Sequence, residues 1–126
     1  MSGKSNERAE WAWKKVAEVA KKPNAQQKRY GTLARKLPAM LHNSGLGQTV
    51  AFLYSKKTDS TGKTGDGLLL DHLVERAKRV VHLANDPVGG IFALKTTQYR
   101  LLTNELNETA QWLKRFAEGR LGEEEN

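Results

Sequence analysis

The chain has no cysteine among its 126 residues and only three prolines, and no apolar run comes near the ~18 residues that a membrane-crossing helix needs. Without cysteine there are no disulfides, no thiolate nucleophile and no thiolate metal site; a reducing cytoplasm is the expected location. The opening Met1-Ser2-Gly3-Lys4 runs into a charged helical pattern, not the apolar core of a signal peptide. The most informative absence is of one charge sign. Between Glu18 and Asp59 lie forty residues without a carboxylate, and that stretch carries Lys21, Lys22, Lys28, Arg29, Arg35, Lys36, Lys56 and Lys57. Cations with no local anion point to a polyanionic partner, above all a phosphodiester backbone; the plain alternative is a solvated basic surface.

Charge is divided unevenly along the chain. Residues 1–57 hold twelve Lys/Arg against three Asp/Glu, a net of +9, whereas residues 58–126 hold nine against eleven, a net of −2, which sums to the overall +7. The length suits a single domain burying about two-thirds of its unfolded surface. Apolar spacing is helical almost throughout, with no alternation of period two, so the fold class is all-α, a single-domain bundle of about five to six helices over residues 1–126. Helices are expected over about 5–21, then from Asn24 through Leu37 with a kink or restart at Pro38, and over about 46–57 after a turn at Asn43-Ser44-Gly45. Residues 58–67 read as a flexible polar loop. Further helices follow over about 68–84 and 96–118, with a short apolar turn at 88–94 between them. The last helix carries the cleanest stripe, Tyr99, Leu102, Leu106, Ala110, Leu113 and Ala117. Residues 119–126, ending in Glu123-Glu124-Glu125-Asn126, read as a disordered acidic tail.

Helical projection separates the faces. On the first helix Trp11 falls opposite Ala9, Val16 and Ala20, in a stripe with Lys4, Arg8, Lys15 and Lys22. This is either an aromatic among cations on a nucleic-acid surface, or a packing residue or contact with another helix, which also makes Trp11 a protein-contact candidate. On the second, Lys28 aligns with Arg35 and Arg29 with Lys36, with Thr32 between the rows; these four are the first candidates for phosphate contact. Lys56 and Lys57 extend the set. On the last helix Leu101 and Trp112 form a second apolar line, read as a protein contact or as packing under the 58–67 loop.

Catalytic chemistry is thinly represented, and neither metal nor cofactor is expected. His72 and His82, placed on one helix, would stand ~15 Å apart along its axis, and His42 lies at a helix end. Gly62-Lys63-Thr64 imitates the end of a phosphate loop, but Lys57 occupies the place of the required first glycine. Asn107-Glu108-Thr109 is a mid-helix chance match to a glycosylation pattern. A helix-turn-helix around Gly45 is disfavoured by the apolar Val50-Ala51-Phe52-Leu53.

The segment Tyr30-Gly31-Thr32-Leu33-Ala34-Arg35-Lys36-Leu37-Pro38, continuing through Asn43-Ser44-Gly45-Leu46-Gly47-Gln48 to Ala51-Phe52-Leu53, resembles the small helical subunit of Cmr-type, type III-B CRISPR effector complexes. Tyr99, Leu102-Thr103-Asn104-Glu105 and Trp112-Leu113-Lys114-Arg115-Phe116-Ala117 agree with that family's C-terminal signature; Ser44 stands between an Asn and a Gly often adjacent in it. The resemblance implies a non-catalytic helical protein of antiviral defence. It would stack in several copies along a ribonucleoprotein filament, contact other Cmr subunits, and help hold the guide and target RNA without reading sequence. Arg35, Lys36, Lys114 and Arg115 are the positions carried over from the family motif. Two other functions stand beside this one: a free-standing basic helical nucleic-acid-binding protein, and a small ribonuclease using His72 or His82.

Overall fold

The computed structural model describes residues 3–121, with the side chains of Lys4 and Ser5 left aside. Five α-helices and one two-stranded hairpin make up the described residues: α1 (Gly3–Val19), α2 (Asn24–Ser55), β1 (Thr58–Asp59), β2 (Gly62–Lys63), α3 (Gly65–Ala77), α4 (Pro87–Phe92) and α5 (Thr96–Arg120). The all-α expectation holds.

Within α2 the break falls at Gly45 and not at Pro38. Gly45 has φ 83 and ψ 166, a conformation essentially reserved for glycine, and is the only residue of α2 with non-helical dihedrals. It divides α2 into two arms, residues 24–44 and 46–55. The arms fold back on one another. Gly65 packs so close to Tyr30 and Arg29 on the first arm that a Cβ there would lie 2.5 Å from the Tyr30 nitrogen, while Gly67 abuts the Lys57 carbonyl just past the second arm. The start of α3 therefore joins both ends of α2.

The segment read as a flexible, unpacked loop is ordered differently. Thr58 pairs with Lys63 and Asp59 with Gly62, and Asp59 Oδ1 closes the tip by accepting from the Thr61 nitrogen at 2.8 Å and its hydroxyl at 2.6 Å. Gly65, Asp66 and Gly67 are buried, and Thr64 caps α3 by accepting from the Gly67 nitrogen at 3.1 Å. The helix expected over 68–84 instead starts at Gly65 and ends at Ala77, since the β-branched pair Val80-Val81 resists helical continuation. Val81 stays buried through one last bond to the Ala77 carbonyl, while Ala84 is exposed. The expected apolar turn is the short helix α4, with Pro87 in its first turn and Asp86 accepting from the Gly89 nitrogen at 3.3 Å.

The α5 stripe is as expected: Leu102, Leu106, Ala110, Leu113 and Ala117 have no exposure, each leucine contributing roughly 2 kcal/mol by burial. These residues pack against Leu33, Leu37, Leu41 and Leu46 of α2, Leu69 and Leu73 of α3, and Val16 and Val19 of α1 in one core. α5 runs antiparallel to the first arm of α2. Its start touches Gly47, whose nitrogen donates to the Tyr99 hydroxyl at 2.9 Å, and its end places Leu121 against Gly31. Of the stretch read as an acidic tail, Gly119 and Arg120 are helical and Leu121 is buried, and residues 122–126 lie outside the described residues.

Candidate nucleic-acid interface

The candidate cations divide into two groups. Three are held by carboxylates of the other half of the chain, so the expectation that they lack an anion within the fold is corrected. Arg8 donates through Nε and Nη2 to Glu105 at 2.8 and 2.9 Å. Lys15 lies 2.9 Å from Glu75 and 3.5 Å from Glu18. Arg29 forks onto buried Asp66 at 2.9 and 3.1 Å. Trp11 is likewise a packing residue. It is 5% exposed, donates its indole N–H to Glu75 at 3.1 Å and meets His72 edge-on. The sequence projection centred α1 on Ala9, Val16 and Ala20. The buried face is in fact turned toward Arg8, Trp11 and Lys15, because the charges of Arg8 and Lys15 are neutralised in place and the Trp11 indole N–H is bonded to Glu75.

These pairs belong to a polar layer among α1, α3 and α5. Arg76, 3% exposed, donates to Glu105 at 2.9 Å and to both Glu7 oxygens at 2.8 and 2.6 Å, and Arg79 adds a bond to Glu7 at 2.7 Å. Burial alone would raise the Glu105 carboxyl, yet the bonds from Arg8 and Arg76 outweigh it and hold it down at about 2. Glu7 is lowered by its bonds to Arg76. His72 is also interior. Burial first, then the charge of Lys15, pushes it down to about 4. Its Nδ1 lies 2.8 Å from the Tyr30 hydroxyl and its Nε2 3.8 Å from Glu18. Because Nε2 faces a carboxylate, the proton sits there, and Tyr30 donates to Nδ1. His82 lies past the end of α3, so the two histidines do not share a helix. Neither arrangement resembles an acid–base pair open to a substrate.

The second group faces solvent. Lys28 and Lys36 are exposed on the first arm of α2, as are Lys21 and Lys22 before it, and among the described residues none of the four has a carboxylate partner. Arg35 is half-buried beside Gly31 and Leu121, and Thr32, read as lying open between the two rows, is only 5% exposed. Arg29, Thr32 and Arg35 each have further partners. At the end of the second arm Lys57 sits 3.6 Å from the centre of the Tyr54 ring and Lys56 5.7 Å from that of Phe52. The reversal at Gly45, tied by Gly65 and Gly67, brings this pair to the same end of the molecule as Lys28. That gathering of residues nearly thirty positions apart has no trace in local sequence.

On α5, Arg115 is exposed with a loose 3.4 Å contact to Glu118, and Lys114 is half-buried. Leu101 is exposed, whereas Trp112 is half-buried and stacks on Phe116, so the two do not form one open apolar line. The sequence reading missed Trp13. It is 48% exposed, packs edge-on against Phe116 and lies 5.2 Å from the Arg120 guanidinium. Its place on α1 opposite Lys15 was the available signal, once Arg8 and Lys15 are assigned to the buried face.

The profile of the CRISPR-associated protein family Cas_Cmr5 matches residues 4–120. A Thermus thermophilus protein described as CRISPR system Cmr subunit Cmr5 is 30% identical over 122 residues, which cover 91% of this chain and 93% of that protein. The X-ray structure of a CRISPR-associated Cmr5 family protein from the same organism shares the fold with a TM-score of 0.76 at 29% identity, over 95% of this chain and 98% of that one. Sequence and fold agree along nearly the whole length: the chain belongs to the Cmr5 family of CRISPR-associated proteins.

Proposed function

We propose that the protein is a non-catalytic small subunit of a cytoplasmic Cmr-type (type III-B) CRISPR ribonucleoprotein of antiviral defence. There it holds the guide–target RNA by its phosphates and packs against copies of itself and other Cmr subunits. The membership above and the printed description of the Thermus relative as a Cmr subunit support the assembly. One observation carries the RNA contact. Among the described residues, Arg8, Lys14 and Lys15 of α1 and Arg76 of α3 are matched with carboxylates, while Lys28 and Lys36 stay exposed and unmatched. Lys56 and Lys57, each over an aromatic ring, extend the surface at the same end, and Arg115 with Lys114 extend it along α5.

Such a surface binds by counterion release, weakly in one copy and more tightly when copies line up along one RNA. The test is anisotropy of labelled RNA against salt for the native chain and the Lys28→Glu, Lys36→Glu variant. Removing two phosphate contacts lowers affinity for all sequences alike and reduces the slope of log K against log salt by roughly 1.4–1.8. An unchanged slope with native circular dichroism overturns the placement. RNA cleavage by the pure protein, lost on His72→Ala or His82→Ala, overturns the non-catalytic reading.

A further inference from the structure

We infer that the cleft between the end of α2, α3 and the start of α4 docks an acidic segment of a partner protein, anchored by one bulky apolar side chain. Its deep part is a cavity of about 430 Å³ walled by Tyr54, Leu70, Val74, Pro87 and Val88, a volume within the roughly 300–1,000 Å³ of ligand sites. Polar ties outside the cavity hold these walls. The Lys57 carbonyl accepts from the Thr64 nitrogen at 3.0 Å, which joins the end of α2 to the start of α3. Pro87 opens α4, and Asp86 caps it. Lys78 and Pro87 also border a second cavity of about 410 Å³ that runs on past His82 and Asn85. An apolar hole continued by a polar trough suits an extended chain with one side chain inserted.

Charge selects the partner. Both carboxylates on the rim of the first cavity are already engaged: Asp71 pairs with Lys63, and Glu75 Oε2 accepts from Lys15 at 2.9 Å and from the Trp11 indole at 3.1 Å. The two rim lysines differ. Among the described residues neither Lys57 nor Lys78 has a carboxylate partner, and the trough adds no acid. Lys57 abuts Gly67 at the start of α3 and Lys78 caps its end, so the two flank the hole from opposite ends of that helix. Positive charge on either side of an apolar hole fits acidic residues on either side of an aliphatic or aromatic one. RNA fits less well. Four of the five walls are aliphatic, and one face of Tyr54 is taken by the Lys57 ammonium 3.6 Å from its ring centre, which leaves a base little to stack on. The preference for this chemistry stands on the geometry; that the partner is a neighbouring subunit rests on the proposed function.

The test uses the full isotope-labelled chain and a blocked seven-residue peptide of glutamates with phenylalanine at its centre. Binding shifts the backbone amide signals of Tyr54, Leu70, Val74 and Val88. Serine in place of the phenylalanine weakens it about ten- to a hundredfold, a comparison made on the native chain. Lys78→Glu, at an exposed position outside the proposed RNA surface, weakens it about three- to tenfold, and about 0.5 M salt acts in the same direction. No shift at these residues, or equal shifts with the serine peptide, overturns the inference. So do the same shifts on concentrating the chain alone, because the occupant is then a second copy. A single-stranded RNA of mixed sequence that moves these signals and loses its grip on Lys78→Glu also overturns it, because the cleft then takes RNA. Peptide docking beside an RNA affinity indifferent to Lys28→Glu, Lys36→Glu sustains the inference and overturns the RNA placement; no peptide docking beside an affinity that falls in that variant does the reverse.

Discussion

Glu105 is the carboxylate on which the amino-terminal helix depends, and replacing it with glutamine tests that directly. Glu105 is 6% exposed and accepts from Arg8, Arg76 and the Thr109 hydroxyl, the last at 3.3 Å. With its carboxyl lowered from 4.5 to about 2, the ionised form contributes about 3 kcal/mol to folding at pH 7, at about 1.4 kcal/mol for each tenfold change in proton affinity. The folded value lies below the unfolded one. The contribution is therefore complete above pH 4.5 and is lost as pH falls toward 2. At pH 3 roughly 1.4 kcal/mol remains. Glu105→Gln keeps shape and one acceptor oxygen but leaves Arg8 without its anion, and Arg76 with Glu7 alone. Urea unfolding, which adds no ions, then shows a deficit near 3 kcal/mol at pH 7 that shrinks by about half at pH 3. A deficit below about 1 kcal/mol, or one that does not change between the two pH values, refutes the reasoning; it would mean the pair behaves like an ordinary surface ion pair.

Gly45→Ala meets no neighbour within 4 Å yet should lose about 1–3 kcal/mol, because the cost is in the backbone conformation; thermal unfolding measures it, and a neutral result means the corner relaxes freely. Trp13→Phe should remove most of the iodide-quenchable tryptophan emission, whereas Trp11→Phe should leave that emission and cost about 1 kcal/mol for the lost bond to Glu75. The His72 ring, followed by NMR, should titrate near 4 and not 6.5; since its folded value is the lower one, its contribution is complete above pH 6.5 and is lost as pH falls from 6.5 to about 4. The Lys28→Glu, Lys36→Glu chain should keep its helical circular dichroism while its RNA binding weakens.

Apolar periodicity located what is apolar. The α5 stripe, the all-helical class and the turn at Asn43-Ser44-Gly45 were legible because each is a local pattern. Arg8, Trp11, Lys15 and Arg29 had partners hidden from the sequence for one shared reason. Each is a polar or amphipathic residue whose burial depends on a carboxylate 37 to 97 positions away, and hydrophobic patterning is blind to a partner supplied by the fold. The 58–67 segment was misread because its buried part, Gly65-Asp66-Gly67, is polar and small. It packs by close approach of glycine backbone to α2 and not by apolar area. The family motifs were visible in the sequence, but which of their cations remain open to solvent was not, since that depends on where α3 and the end of α5 come to rest.

The corner at Gly45 turns α2 into a pair of calipers. Both arms start from one point, so the spacing between Lys28 and Lys57 is fixed by the number of residues in each arm. One inserted residue in either arm would advance everything beyond it by ~1.5 Å and rotate it by ~100°, turning the cations toward the core and the leucines toward water. The same residue inserted at the Ser60-Thr61 hairpin tip would lengthen an exposed turn and leave the jaws where they are. Variation in chain length is therefore cheap at the hairpin and ruinous in the arms.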